Sequence, residues 1–247
     1  MVLEAWLLGR MELRYNRHRL DESAFHRRHA LVLLLCLLLA PGYRVERDAA
    51  LSLLWPEQLP QERMNDLRSV LSSLRRTLSV AAAGPTLVQR DGTALRLHPN
   101  SRVEVDVARF EASARAALSG RDLGSLHDAA ALYGGPLLPP FPYAEWSMAP
   151  RARLARLHER LLAALARSEA PLNPDAAEEW LHALLSANPT DERAARALMT
   201  LLARRGRRAE ALRIYEELRH TLQRDLDAAP SSAVERLHRA LRDPAPE

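Results

Sequence analysis

The chain contains no lysine, a single cysteine and few aromatic residues, which make up 5% of its 247 positions. One cysteine, Cys36, excludes an internal disulfide and suits a reducing compartment, so a cytoplasmic location is expected. Its neighbours are leucines, which makes it a core filler rather than a nucleophile. With no second cysteine and no HExxH pattern, a metal site is not expected. No GxxxxGK[ST] loop is present to cradle a nucleotide phosphate, and no cofactor is expected. Glu178-Glu179 and Glu216-Glu217 fit solvated helix faces better than paired catalytic carboxylates. No nucleophile stands beside a base, so nothing points to an enzyme. Long apolar runs are also scarce. Ala30–Ala40, ALVLLLCLLLA, is shorter than the roughly 20 residues that span a bilayer. The mixed residues before it carry Arg10, Arg14, Arg17, Arg19 and Arg27, unlike a signal peptide. A buried helix stopped by Pro41-Gly42 is expected, and no membrane partner.

Without lysine, all 35 basic residues are arginine, so arginine abundance reflects composition and its distribution carries the information. Residues 1–100 hold 14 Arg against 10 Asp and Glu, a net +4, whereas residues 101–247 hold 21 against 21. The whole positive excess therefore lies in the N-terminal part, a modest footprint for nucleic acid.

The patterning predicts two domains, 1–100 and 101–247. Val2–Leu8 and Met11–Tyr15 read as short strands around Gly9, and His18–Leu20 as a third. Asp21–Ser23 offers capping side chains for a first helix over Phe25–Ala40, with exposed His26 and His29 near its start. Arg44–Glu46 is extended, and Arg47–Trp55 forms a second helix with Ala50, Leu51, Leu54 and Trp55 inward. After the rigid connector Pro56–Pro60, the stretch Pro60–Leu78 places Met64, Leu67, Val70, Leu71, Leu74 and Leu78 on one helical stripe about 120° wide. The other face carries Asn65, Arg68, Ser69, Ser72 and Arg76. It has almost no Glu–Arg pairing at i,i+4, and its serines are poor interior helix formers. Short side chains between Arg and Asn suit a helix in the DNA major groove, where Arg forks onto guanine and Asn onto adenine. In Thr86–His98, Asp91-Gly92 between two alternating runs predicts a hairpin, with Gln89, Arg90, Thr93 and Arg96 at or near its tip. Three strands, three helices and a hairpin make a winged helix-turn-helix whose wing reaches backbone or minor groove. A small α+β domain without nucleic acid is the alternative.

After Pro99 strand signals vanish. Helices are predicted over Val107–Ser119, Leu123–Tyr133, Arg151–Ser168, Asp175–Ala187, Asp191–Arg205, Ala209–Leu226 and Ser231–Leu241. Gly134–Pro142, GGPLLPPFP, reads as a packed loop. The later helices have the length and spacing of a tetratricopeptide-like repeat, with Ala194, Leu198 and Leu201 facing Ala209, Leu212 and Tyr215. Such a stack presents a groove to a peptide or another protein. The fold class is therefore mainly α: an N-terminal α+β winged helix-turn-helix followed by an all-α helical repeat.

The motifs and their order also resemble a family. LLW (Leu53–Trp55) closes the second helix, LRSVLSSLRRTL (Leu67–Leu78) forms the third, and a hairpin follows. VDVARFE (Val105–Glu111), LYGGPLL (Leu132–Leu138), Glu145-Trp146 and RARL (Arg151–Leu154) come next. The long run from Asn188 to Leu222 and DAAPS (Asp227–Ser231) end the series. Together they look like the Streptomyces antibiotic regulatory protein (SARP) type of transcriptional activator, an OmpR-like winged helix joined to a bacterial transcriptional activator domain. The resemblance covers about residues 1–242. It implies a regulator that binds direct repeats in double-stranded DNA near promoters, as two adjacent protomers, and recruits RNA polymerase. It places Asn65, Arg68, Ser72, Arg75 and Arg76 against DNA or its backbone. Arg75 lies at the edge of the apolar stripe, where a phosphate contact or an internal ion pair is expected. Met64 and Asp66 depart from the family's basic and small residues, so the operator sequence does not follow. Pro56–Pro60 stands where some OmpR-like proteins contact polymerase. Those two departures also leave open a second function, a helical-repeat adaptor for another protein with a vestigial winged helix.

Overall fold

The computed structural model describes residues 2–58, 63–81, 87–120 and 122–243. The chain divides into two compact units, one of Met1–Ala112 with Leu132–Ala155, the other of Ser113–Ala131 with Arg156–Glu247.

The first unit opens with strand β1 (Val2–Trp6), whose alternation buries Leu3 and Ala5. β1 pairs antiparallel with β2 (Glu12–Tyr15), and β2 with the two-residue β3 (His18–Arg19). After a helical turn at Glu22–Ala24, helix α1 (Arg28–Leu39) buries every residue from Ala30 to Leu38. That all-round burial explains why its sequence is one apolar run rather than a stripe. The first helix thus begins three residues later than predicted. Asp21 is extended without a capping hydrogen bond, and Phe25 is buried as the residue that closes the preceding turn. Pro41 and Gly42, the latter at φ 63°, end the helix as predicted.

β4 (Arg44–Glu46) leads into α2 (Arg47–Leu54), which buries Ala50, Leu51 and Leu54. Trp55 is half-buried and stacks on His29 at 5.0 Å. Helix α3 (Met64–Ala81) packs on α1. The start of the stretch predicted from Pro60, the end of the connector Pro56–Pro60 and Thr86 at the start of the hairpin lie outside the described residues. β5 (Val88–Asp91) and β6 (Ala94–Leu97) form the hairpin, and β6 also pairs with β4. The turn is shifted by one residue from the prediction: Asp91 pairs with Ala94, and Gly92 and Thr93 are central. Only Gly92 takes a positive φ, 61°, the pattern of a turn with glycine first.

One strand escaped the sequence reading, which placed none beyond Pro99. β7 (Arg102–Val105) pairs in parallel with β1, so that the larger sheet has the order β3-β2-β1-β7. Four residues are too few to declare a period, and a parallel partner lies a long crossover away. Asp106 then opens helix α4 (Asp106–Gly120). Its carboxylate accepts the amides of Leu7 at 2.8 and 2.9 Å, Leu8 at 2.9 Å and Val107 at 2.8 Å. The segment after α5 (Leu123–Ala131) returns to the same place. Leu8 bridges Leu137, and the Gly9 amide donates to the Pro136 carbonyl at 3.0 Å. Gly9 sits at φ 73°, where a Cβ would lie 2.1 Å from the Gly134 oxygen. Leu137, Leu138 and Phe141 are buried, as a packed loop requires.

Helix α6 (Glu145–Glu169) begins six residues before the predicted Arg151, because Pro150 stands inside it rather than at its start. An interior proline costs a helix about 3 kcal/mol or more. Arg151, the next residue, ties this helix to the loop before it. Its guanidinium donates to the carbonyls of Leu137 at 2.7 and 3.0 Å, Leu138 at 3.2 Å and Phe141 at 3.0 Å, and also to Pro142.

The second unit is helical: α7 (Pro174–Ala187), α8 (Glu192–Arg204), α9 (Arg208–Leu226) and α10 (Ser232–Arg242), with α5 and the ends of α4 and α6. Asn173 caps α7 and Asp191 caps α8 through their side chains. Ala194, Leu198 and Met199 of α8 pack with Ala211, Tyr215, Leu218 and Leu222 of α9. The inward face of α9 therefore runs from Ala211; Ala209, predicted inward, is exposed, and Leu212 is half-buried. Asp227, in the left-handed region at φ 49°, ends α9.

Candidate nucleic-acid interface

Helix α3 is fixed by its buried face. Leu67, Val70, Leu71, Leu74 and Leu78 are at most 3% exposed, and Met64 is half-buried. Thr77, also buried, donates its hydroxyl to the Ala24 carbonyl at 3.1 Å. What remains outward is Asn65, Arg68, Ser69, Ser72 and Arg76, all exposed. Arg68 Nη1 donates to Asn65 Oδ1 at 3.1 Å, so the two residues orient one another. The Ser69 hydroxyl bonds back to the Asn65 carbonyl at 3.1 Å, which keeps that side chain low on the helix. Asp66, the acidic residue near this face, is paired with Arg63 at 2.6 Å.

Arg75 lies elsewhere. It is half-buried, and its Nε and Nη2 both donate to the Val88 carbonyl at 3.2 Å. The expected internal partner is thus a backbone oxygen of the hairpin rather than a carboxylate, and the contact ties α3 to β5.

On the hairpin, Arg90 is exposed and pairs with no described residue. Thr93 donates to Glu46 Oε2 at 3.0 Å. Arg96 pairs with Asp91 at 3.3 Å, and Arg44 reaches the same Asp91 oxygen at 3.4 Å. Sequence reasoning missed Arg44. It is the cross-strand partner of Arg96, so two like charges stand opposite one another with Asp91 between them. Only the β4–β6 pairing reveals this; the signal in the sequence was a lone arginine in a three-residue extended piece.

Among the described residues no group of three His, Cys, Asp or Glu could hold a metal ion. None of their helices is long and apolar enough to cross a membrane. Burial pushes the Cys36 thiol up to about 12, far from a reactive thiolate.

The family model of the bacterial transcriptional activator domain matches residues 105–242. The regulatory protein AfsR of Streptomyces coelicolor is 31% identical over 227 residues, which cover 86% of this chain and 22% of that protein. AfsR of Streptomyces griseus is 30% identical over 223 residues, covering 85% and 22%. The chain thus spans about a fifth of the length of these relatives. Among solved structures, Mycobacterium tuberculosis EmbR in complex with a low affinity phosphopeptide superposes with a TM-score of 0.75 at 22% identity, over 99% of this chain and 66% of that one. That likeness establishes the shared fold. The match over residues 105–242, more than half of the chain, shows that the chain belongs to the bacterial transcriptional activator domain family.

Proposed function

We propose that the chain is a sequence-specific DNA-binding activator. In this reading α3 enters the major groove of double-stranded DNA. Arg68 and Asn65 meet base edges, Ser69 and Ser72 allow close approach, and Arg76 contacts a phosphate. The hairpin lies along the backbone or minor groove with Arg90, Thr93 and Arg96, and Arg44 joins them. Arg75 acts from within, holding the hairpin to α3. The observation that carries the reading is the outward face of α3: exposed Asn, Arg and Ser with no acidic partner among the described residues, on a helix whose other face buries Leu67, Val70, Leu71, Leu74 and Leu78.

Binding as two adjacent protomers on direct repeats, and engagement of RNA polymerase, belong to the same proposal. Winged helix and helical repeat are assigned to residues 1–100 and 101–247. The adaptor reading has one observation in its favour. Asp91 and Glu46 partly neutralise the arginines of the hairpin.

Fluorescence anisotropy with duplexes from promoters adjoining the gene, titrated across salt against a shuffled duplex, separates the two. Tight binding to one fragment, with affinity falling linearly in log salt, supports the DNA reading. Equal weak binding to every duplex, lost at physiological salt, defeats it.

A further inference from the structure

The second unit carries a charged surface of its own. The ends of α4 and α6, with α5, α7 and α8, line an open groove of about 1110 Å³. Its floor is small: Ala117, Ala163, Ala194 and Ala197, with Leu126 and Leu201. Short side chains leave a trough in which another backbone can approach closely. The rim carries Arg156, Arg160, Arg167, Arg193 and Arg196, all exposed.

Two observations set this rim apart from an ordinary solvated face. Some arginines of the unit are paired, Arg205 with Asp175 and Glu178, Arg207 with Glu178 and Glu210, Arg219 with Glu216 and Arg224 with Asp225, whereas Arg204, Arg236, Arg239 and Arg242, unpaired among the described residues, do not line the groove. None of the five rim arginines forms an ion pair with a described residue. Against these five arginines the lining holds two carboxylates, Glu159 and Asp191. Asp191 is occupied in capping α8, accepting from the Arg193 and Ala194 amides at 2.9 and 3.1 Å. Burial, and then the Asp191 charge, raise the Glu159 carboxyl above its ordinary value, and the nearby Arg156 charge partly opposes them. Residues 101–247 balance 21 Arg against 21 Asp and Glu, so the groove concentrates a positive excess within a neutral stretch of chain. At this size and openness it exceeds the roughly 300–1,000 Å³ of small-ligand pockets and suits a helix laid in a groove.

We propose that this groove docks an acidic amphipathic helical segment of a partner protein, its apolar residues over the alanine floor and its carboxylates on the arginine rim. The inference is independent of the DNA reading.

The probe is a fluorescein-labelled synthetic helical peptide with Leu at i, i+3, i+4 and i+7 and Glu elsewhere. The control peptide replaces every Glu with Gln. Titrated with the full chain, the Glu peptide should bind saturably, about tenfold or more tighter than the Gln peptide. Arg160→Glu with Arg193→Glu should weaken it by at least about tenfold while the circular dichroism stays native. Ala197→Trp, which fills the floor without touching a charge, should weaken it as well. Arg68→Ala with Arg76→Ala should leave it unchanged, which keeps failure here distinct from failure of the DNA reading. Equal binding of the two peptides would overturn the proposal, as would full binding by the natively folded charge-reversed protein. Loss of the peptide on the α3 substitutions would assign it to α3 instead. A promoter duplex bound more weakly by the charge-reversed protein, with the peptide unaffected, would make the rim a nucleic-acid surface and also overturn it.

Discussion

Asp106 should be among the most sensitive positions of the first unit. Its carboxylate accepts the amides of Leu7 and Leu8, two residues at most 4% exposed, and that of Val107 at the start of α4. Asp106→Ala removes the acceptor and leaves the Leu7 and Leu8 amides without one. A hydrogen bond to a charged group contributes about 1.5–3 kcal/mol, and an orphaned buried donor costs about 1–3 kcal/mol. Loss of the helix-start contact adds roughly 1 kcal/mol. Water entering the space of the missing carboxylate recovers part of this, so a net loss of about 3–4 kcal/mol is expected. Against a total of roughly 5–15 kcal/mol this is severe. Asp106→Asn keeps one accepting oxygen but turns an NH₂ toward the other side, and should lose about half as much. The assay is urea unfolding followed by circular dichroism and tryptophan emission, with each transition fitted separately because the chain has two units. An alanine variant with unchanged midpoints, or an asparagine variant as damaged as the alanine one, would refute the reasoning.

Gly9→Ala should destabilise the same unit by more than the roughly 1–2 kcal/mol of a left-handed alanine, since its Cβ would sit 2.1 Å from the Gly134 oxygen; thermal unfolding measures it, and a wild-type melting curve would contradict the crossing. Arg75→Ala should cost about 1–2 kcal/mol through the lost Val88 contact and weaken every duplex alike, because the hairpin loosens; a sequence-selective loss would instead make Arg75 a base reader. Arg68→Ala should lose about 1–3 kcal/mol on the cognate site alone, read by anisotropy against the shuffled duplex, whereas uniform weakening would make it a phosphate contact. Burial, with help from the Glu235 carboxylate 2.6 Å from its hydroxyl, raises the Tyr215 phenol to about 12 from an unfolded value near 10. The stability it contributes is therefore complete below pH 10 and lost between pH 10 and about 12. Circular dichroism across that range should lose this step in Tyr215→Phe, and an unaltered alkaline profile would count against it.

The sequence was most legible where one element suffices to write a pattern. The α3 stripe, the apolar α1, the Pro41-Gly42 stop and the hairpin glycine are all local, and the structure has each of them. It was least legible where the reason for a residue lies far along the chain. Val103 and Val105 mean little until β1 is beside them, and Gly9 explains Gly134 only once the two backbones cross. Pro150 misled because proline normally starts a helix; the carbonyls gathered by Arg151 are brought together by the fold. At the candidate interface the outward set on α3 could be read from periodicity. The inward turn of Arg75 and the Arg44–Asp91–Arg96 cluster depend on strand pairing, which no helical wheel contains.

The pairing of β1 with β7 and its crossing with the Leu132–Leu138 segment also bear on time. All of α3 has been synthesised once residue 81 is made, but the sheet of its own unit still lacks Val105, Asp106 and Leu137. At a synthesis rate of about 5–20 residues per second, that interval lasts on the order of seconds. The nascent chain must carry β1 unpaired on one edge through this period, with the leucines of α1 already outside the ribosome. Termination near residue 100 would leave the unit in that condition permanently. The first unit is therefore completed only once the chain well beyond α3, through Ala155, has been made.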